Sequence, residues 1–581
     1  MQARSYLFAL SALSAFQLVH AQPADAPLLP LGELKAGQKG EVWTVFRGTQ
    51  PEPFAVEVTG VVRNALGPGK SLILCRLTDA RVQNMGAVAG MSGSPLYIGG
   101  RFAGALSYQI QRFETVRYAG FTPAADLVEV QHRAEASPSP APANATASLD
   151  SFQPLRPVFT ISGLSPAVAE LFAPQFAALG LSATALGGSD GGSSIENSKS
   201  KIPNSPVLPG TAVSVALATG DITLAGTGTV SRVEGSHLTA FGHPMLSLGE
   251  VALPMCSAEI VTILPSSMQS IKVANTGPVI GTITQDRLSA VSGTLGAGPE
   301  MTEVEVNVTR TNGIPRTLHF SVARQQQLTP MLVAAGVTQA ILGSSDAGLS
   351  NGFMLSSNVT FPAKQTLATR ALYAGPQGFQ QGLGEFVKGL TQDLQNPYEK
   401  TFPHHVVFTV EPLEQNPAIT LDLFQLSRPT ARAGETVQAT VSWRDYQGEA
   451  HRQIVGIPIE AAWTGKSLQV ILATGQALDE LTGRPRLIAA AQLRSFDAYL
   501  AAQRDSRADD GLFIAVVEKT RFFTDETVAV PDAPGSIERI AQAADEARFQ
   551  RRDALLPLWE QHILDGKLSD ASLRRPLQIT D

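Results

Sequence analysis

Several classes of protein are excluded by what this chain has little of. Only two of its 581 residues are cysteines, too few for a disulfide framework. Charged residues make up 16% of the chain, the formal net charge is −7, and no basic stripe is present, so nucleic-acid binding is not expected. Beyond the N-terminus, no apolar run approaches the length of a membrane span. The chain is therefore expected to form a globular protein of roughly three to four domains.

The scarcity of aromatic residues, 6% of the chain, contrasts with 51 glycines and 38 prolines. This balance favours short strands joined by turns over long helices. Composition shifts and periodicity then divide the chain. The predicted units are a signal peptide 1–21, a β domain 22–135, a linker with a short helical segment 136–207, a second β domain 208–325, a mixed and partly helical connection 326–400, a β-sandwich-like domain 401–530 and a helical tail 531–581.

The first 21 residues have the character of a secretory signal. Arg4 gives a positive start, residues 6–19 are mostly apolar, and Val19 and Ala21 offer small side chains at the positions that a signal peptidase reads. The mature protein is expected to be exported, periplasmic or extracellular, without a stable membrane span. The alternative is an N-terminal membrane anchor.

The two cysteines, Cys75 and Cys256, each lie in an apolar, strand-like run. A buried free thiol is the expected state of each, although export would make a disulfide between them possible. Neither has the neighbouring ligands that a metal site needs. No metal or organic cofactor is expected.

The strongest chemical signal is the segment Gly90-Met91-Ser92-Gly93-Ser94-Pro95, which is followed by two short apolar runs around Gly99-Gly100. A nucleophilic serine must project from a tight turn whose backbone N–H groups can face an oxyanion. Flanking glycines permit such a turn and let a substrate approach closely. The segment therefore predicts Ser92 as a nucleophile, with the N–H groups of Gly90 and Ser92 forming the oxyanion hole.

Two other interpretations of this segment stay open. The segment could be a plain turn between two strands. Ser94 could be the nucleophile instead, but Pro95 restricts Ser94 to an extended backbone, so Ser92 is the better placed of the two.

A serine nucleophile needs a base and a group that orients the base. His243 ends an apolar strand at Gly242-His243-Pro244, where its ring would lie at the edge of a sheet. Asp79 follows a buried strand 13 residues before the serine, and Asp286 is an alternative acid on the histidine side. From composition alone, a structural histidine in a turn explains His243 better than catalysis does, and an aspartate closing a strand explains Asp79 equally well or better.

These segments resemble the stage IV sporulation protein B peptidases. In that family a Thr-Asp pair, a spacer and Gly-Met-Ser-Gly-Ser-Pro precede a hairpin, as in residues 78–105 here. A Gly-x-Gly-Thr strand leading to Gly-His resembles residues 226–243. The family order is His, Asp, Ser, so the two segments are permuted in this chain.

The resemblance implies a serine peptidase with Ser92 as nucleophile, His243 as general base and Asp79 as the orienting acid. It also implies a mainly β fold: a chymotrypsin-like double β-barrel assembled from the two separated segments, with Asp79 and Ser92 on one barrel and His243 on the other. A β-sandwich-like region and a helical tail would follow. The expected partner is a protein or peptide substrate.

Two alternatives to an exported serine endopeptidase stay open. The first is a non-catalytic exported β-rich binding or scaffold protein that kept the peptidase fold. The second is an esterase with the same nucleophile, although the Gly-x-Ser-x-Gly signature of α/β-hydrolases is not met, because position 94 is serine.

Overall fold

The computed structural model describes residues 25–110, 117–133, 152–155, 158–178, 181, 183–186, 188–189, 206–266, 270–309, 315–342, 351–483, 493–525, 528–544, 548–570 and 572–581. The expected signal peptide lies outside the described residues. The fold is mainly β, as the sequence predicts. No helix within the described ranges combines the length and apolarity needed to cross a bilayer.

The first domain contains a barrel of antiparallel strands that closes on itself. Its elements are β1 (Lys39–Thr44), β2 (Glu52–Val62), β3 (Leu72–Leu77), α1 (Ala80–Met85), β4 (Pro95–Ile98), β5 (Arg101–Ile110), β6 (Tyr118–Pro123), α2 (Ala124–Arg133) and β7 (Phe152–Pro154). The strands pair in the order β4, β1, β2, β3, β6, β5, and β5 pairs with β4 again, which makes a six-strand ring; β7 joins β5. The barrel is therefore confirmed for this segment.

Alternation along the strands fills this barrel. In β2 the side chains of Phe54, Val56 and Val58 are buried, while those between them reach solvent. Successive side chains of a strand point to opposite faces, so this pattern directs one face inward. The chain then turns from β4 into β5 through Gly99 and Gly100, both with positive φ, which non-glycine residues adopt only with strain.

A second, larger sheet follows. Its elements are β8 (Val158–Ser162), α3 (Pro166–Ala178), β9 (Ala183–Leu186), β10 (Gly188–Ser189), β11 (Ala212–Gly220), β12 (Thr223–Glu234), β13 (His237–Ala240), β14 (Gly249–Leu264), β15 (Ile271–Arg287), β16 (Ala290–Leu295), β17 (Met301–Val308), β18 (Arg316–Ala323), α4 (Thr329–Leu342), β19 (Gly352–Thr360), β20 (Thr366–Ala374), α5 (Gly375–Leu394) and β21 (His405–Pro412). Within it β11, β14, β15, β16, β13 and β12 form a cycle of pairings, because β12 also pairs with β11.

Part of the predicted linker 136–207 is built into these two sheets. β7 pairs with β5 of the first barrel, and β8 pairs with β12 of the second sheet. Phe172 and Phe176 of α3 are buried in the core of the second sheet. The structure differs from the predicted linker because the apolar residues of this stretch are buried on the faces of strands and of a helix.

Two further sheets share one core at the C-terminus. The elements are β22 (Thr420–Leu426), β23 (Thr430–Arg432), β24 (Thr436–Arg444), β25 (Ala450–Pro458), β26 (Ser467–Thr474), α6 (Gly475–Thr482), α7 (Phe496–Arg504), β27 (Leu512–Thr524), β28 (Ala529–Pro531), α8 (Gly535–Ala544), β29 (Gln550–Ile563) and β30 (Leu573–Thr580). Phe424 and Val441 of the β22–β24–β25 sheet enter the same cluster as Val470 and Ile514 of the β26–β27–β30 sheet.

The predicted helical tail 531–581 is wrong beyond α8. β29 pairs antiparallel with β27 along its whole length, and β30 pairs with β26. Pro557 lacks an N–H and disfavours a helix, yet it fits in β29, which pairs on one side with β27. The helical periodicity of the sequence correctly predicts α8, but the prediction also covers the residues that form β29 and β30.

Candidate functional site

The serine segment forms a tight turn between α1 and β4. Gly90 and Gly93 both have φ of +96°, a region that costs other residues conformational strain. The N–H of Gly93 donates to the carbonyl of Leu106 on β5 at 2.7 Å, which ties the turn to the barrel. Ser92 is 0% exposed, and its Oγ has no hydrogen-bond partner among the described residues. The turn therefore presents an unpaired hydroxyl in a buried place.

Strand β12 of the second sheet holds the carbonyl groups of this turn. The N–H of Thr229 donates to the carbonyl of Ser92 at 2.8 Å, and its Oγ1 donates to the carbonyl of Gly90 at 3.1 Å. The hydroxyl of Ser231 donates to the carbonyl of Gly93 at 2.8 Å. In the described part of the chain no acceptor is found for the N–H groups of Gly90 and Ser92. Their role as the donors of an oxyanion hole stays a prediction.

The histidine lies in a strained loop that begins where β13 ends. Phe241 has φ of +71° and Gly242 of +69°. Positive φ at a bulky residue costs about 1–3 kcal/mol and persists only where the surroundings fix it. Here the N–H of Phe241 donates to the carbonyl of Thr229 at 3.2 Å, and the hydroxyl of Thr122 donates to the carbonyl of Gly242 at 2.7 Å. The loop is thus held by the first barrel and by the second sheet.

His243 itself is 0% exposed, and burial lowers the pKa of its imidazole to about 4; weaker polar contacts with the backbone of Pro244 and Leu155 oppose that shift. Its Nδ1 lies 2.7 Å from the carbonyl oxygen of Pro244, which can only accept. A neutral imidazole donates from one nitrogen and accepts at the other. Nδ1 therefore carries the proton, and Nε2, which has no partner among the described residues, keeps a free lone pair.

The serine turn and the histidine loop meet at one place. A Cβ on Gly93 would lie 2.5 Å from the backbone nitrogen of Phe241, and one on Gly242 would lie 3.2 Å from the Leu106 oxygen that accepts from Gly93. Ser92 Oγ and His243 Nε2 are nevertheless not hydrogen-bonded to each other. A serine side chain has three staggered rotamers, and catalytic hydrogen bonds are often long in the absence of substrate.

Asp79 is not brought to His243. Its carboxylate accepts from the backbone N–H of Arg81 at 2.9 Å, caps α1 and pairs with the Arg81 guanidinium, which lowers the pKa of the carboxyl group. The histidine loop contacts the first barrel at Thr122 of β6, which donates to the Gly242 carbonyl. The residue before it, Phe121, pairs with Ile73 of β3, and Ile73 lies six residues before Asp79. Six extended residues span roughly 20 Å. The contacts of Asp79 fit a capping role, and its place in a triad stays a prediction.

Asp286, the alternative acid, holds the loop that follows His243. Its carboxylate accepts from the N–H groups of Met245, Leu246 and Leu248 at 2.7, 2.8 and 3.1 Å. The side chain is buried, and desolvation raises its pKa while these hydrogen bonds oppose the change. Asp286 therefore holds the histidine loop through the backbone, and no hydrogen bond from it to the ring is found among the described residues.

Sequence analysis missed three residues that shape the site: Thr229, Ser231 and Lys272. The hydroxyls of Thr229 and Ser231 hold the serine turn, as described above. Lys272 of β15 packs its side chain against Gly90. Threonine and serine are ordinary strand residues, so the Gly-x-Gly-Thr pattern was the available signal for Thr229.

Other polar features lie on elements outside this site. Cys75 and Cys256 are buried free thiols, and burial raises the pKa of each to about 12. Among the described residues, two groups have the spacing of metal ligands: Asp445, Glu449 and His451, and Asp510, His562 and Asp565. Each group contains a histidine–aspartate pair, and neither includes a residue of the serine turn.

The serine turn of the closed barrel thus packs against the loop that carries His243. Residues 22–121 match the family model described as SpoIVB peptidase S55, which confirms the resemblance for this segment. The matched segment includes Asp79, Gly90 and Ser92 and ends before His243. Comparisons with curated proteins and with solved structures gave no match.

Proposed function

We propose that this protein is an exported serine endopeptidase in which Ser92 is the nucleophile and His243 the general base. The observation that carries the proposal is the pair of buried, unpartnered atoms, Ser92 Oγ and His243 Nε2, on two segments that touch. The family match of residues 22–121 supports the peptidase class independently.

The proposed reaction uses the geometry of the turn. Ser92 Oγ bonds to the peptide carbonyl carbon while its proton passes to His243 Nε2. The negative charge that develops on the carbonyl oxygen faces the N–H groups of Gly90 and Ser92, and one such donor lowers the barrier by about 3 kcal/mol. The imidazolium then protonates the leaving amine, and water hydrolyses the acyl-enzyme by the same steps.

The orienting role in this mechanism belongs to a backbone group. In a Ser-His-Asp triad the acid accepts from Nδ1–H and fixes the tautomer of the ring. Here the carbonyl of Pro244 accepts from Nδ1–H, and this contact supports a catalytic pair of Ser92 and His243. Asp79 could serve as the third member only after leaving its contacts with Arg81.

The two six-strand rings support the finer proposal of a double barrel, with the serine turn on one ring and the histidine loop beside the other. Export rests on the composition of residues 1–21. The substrate is a protein or peptide.

Burial favours the second candidate, an exported scaffold that retains the peptidase fold. Ser92 and His243 are both 0% exposed, so a substrate reaches them only after the serine turn and the histidine loop separate. A peptidase would open in this way in solution, whereas a scaffold would stay closed.

Labelling with a fluorophosphonate probe separates the two candidates. The wild-type mature protein should be labelled, and Ser92→Ala and His243→Ala should not. Ser94→Ala and His237→Ala are matched controls that should keep labelling. Ser94 Oγ already donates to the Met91 carbonyl, and His237 lies at the start of β13, before the loop that carries His243. An ordered wild type that takes no label would favour the scaffold.

A further inference from the structure

A completely buried lysine lies directly behind the serine turn. Lys272 on β15 is 0% exposed, and its Nζ donates to the hydroxyl of Thr44 on β1 at 2.8 Å. No carboxylate in the described part of the chain pairs with this amine. Lysine is almost never fully buried without such a partner, because removing an ammonium from water is costly.

The backbone fixes this lysine against the turn. The N–H of Ala89 donates to the carbonyl of Ser270 at 2.9 Å, and the N–H of Lys272 donates to the carbonyl of Ala89 at 2.9 Å. A Cβ built on Gly90 would lie 3.0 Å from Cβ and 3.2 Å from Cδ of Lys272. The lysine stem therefore packs on Gly90, whose N–H is one of the two expected oxyanion donors.

Among the described residues, no charged group contributes to the pKa shift of the amine. β1 offers the Thr44 hydroxyl, the turn offers Gly90, and Ile263 is the partner of Lys272 on β14. Desolvation alone lowers the pKa of the amine from 10.5 to about 7. A methionine would fill similar space without the cost of burying a charge. A costly group retained beside a reactive turn is more often functional than structural.

We propose that Lys272 is a positioning residue of the oxyanion hole: its stem holds Gly90, and its ammonium adds positive charge behind the turn where the oxyanion develops. This inference rests on the proposed function. It predicts that acylation of Ser92 is fastest while the amine is protonated and slows as the pH rises through about 7. Deprotonation of His243 should give the rising limb of the pH–rate profile at lower pH.

The test measures the rate constant of fluorophosphonate labelling between pH 5 and pH 9 in the full-length mature protein. In this reaction the Ser92 oxygen bonds to phosphorus, fluoride leaves, and the phosphoryl oxygen occupies the oxyanion hole. Lys272→Met should label at least roughly tenfold more slowly than wild type at pH 6, and the two rates should converge by pH 9. The control Lys35→Met removes an exposed lysine of the same domain and should follow the wild-type profile.

The stability of the folded protein provides a second readout, whose pH dependence is opposite to that of the labelling rate. The pKa of Lys272 is lower in the folded chain than in the unfolded chain, so the unfolded chain binds more protons between about pH 7 and pH 10.5. The stability contribution is thus lost as the pH falls through this window and returns as it rises. Lys272→Met should lack this dependence and melt at or above the wild-type temperature at pH 6. A purely structural lysine would give a less stable variant whose labelling rate follows the wild-type pH profile, which would overturn the inference.

A second variant covers the case in which Lys272→Met does not fold. Thr44→Val keeps the lysine and removes its hydroxyl acceptor, so the alkaline limb should move to lower pH. An unmoved limb would count against Lys272 as its source. If wild type labels, Ser92→Ala does not, and the Lys272 variants behave as wild type, this inference fails while the proposed function stands. If wild type takes no label, both fail.

Discussion

Replacing Gly93 by alanine tests the contact on which the candidate site depends. Gly93 has φ of +96°, and a Cβ there would lie 2.0 Å from the carbonyl oxygen of Thr229 and 2.5 Å from the backbone nitrogen of Phe241. Both neighbours are backbone atoms, one on β12 and the other in the histidine loop, so neither can rotate away. The added methyl group must push the serine turn from β12 or force the backbone to shift.

The expected cost has two parts. A left-handed conformation costs an alanine about 1–2 kcal/mol, and overpacking adds about 1–3 kcal/mol. The sum is roughly 2–5 kcal/mol of stability. Gly37→Ala is the matched control, because Gly37 has φ of +84° and nothing within 4 Å of its added Cβ. The control should lose only the conformational part.

Urea unfolding midpoints and fluorophosphonate labelling measure the two consequences. Gly93→Ala should unfold at clearly lower urea than Gly37→Ala and should label more slowly, because the donor N–H of Ser92 shifts with the turn. Equal midpoints for the two variants would mean that the serine turn does not pack on β12 and the histidine loop as described, and the proposed mechanism would lose its geometric basis.

Four further predictions concern the groups around the pair. Thr229→Val should cost about 1 kcal/mol and slow labelling, whereas Thr160→Val, which also loses a buried hydroxyl donor, should affect stability alone. Asp286→Asn should cost about 1–3 kcal/mol and slow labelling as the histidine loop loosens; an unchanged rate would refute its positioning role. Asp79→Ala should cost about 1 kcal/mol through the lost helix cap and leave labelling intact; lost labelling at native stability would restore Asp79 to the triad. Labelling should increase as the pH rises through about 4, where His243 loses its proton, and a rate that does not change there would exclude it as the base.

The local features of the candidate site could be predicted because glycine and proline leave local signatures. Gly90 and Gly93 have the positive φ that the serine motif requires, and the hairpin turns at Gly99 as expected. The alternation of β2 gave the inward face of the barrel. Each of these features is decided within a few residues, where steric rules are strong.

The partners of the turn could not be predicted because they are chosen by long-range packing. The Thr229 contacts span about 140 residues, and nothing local distinguishes its hydroxyl from those of neighbouring strand residues. Asp79 was selected because the family places an acid at that position. In the fold Asp79 caps the N-terminus of α1, a role for which aspartate is equally well suited. The capping role was visible in the sequence as the competing interpretation.

Lys272 shows most clearly how tertiary contacts override a strand pattern. In Ile271-Lys272-Val273 the alternation predicts an outward lysine between two inward apolar residues, yet Ile271 and Val273 are half-exposed and Lys272 is buried. Shifting a strand by one residue exchanges its two faces, so contacts with other parts of the chain must fix the register of β15. The ladder with β14 fixes it, since Lys272 pairs there with Ile263. The hydrogen bonds between Ala89 and β15 then place the buried lysine beside the serine turn. A chain selected for stability alone would place an apolar residue at position 272, which is why the lysine is best explained by chemistry at Gly90.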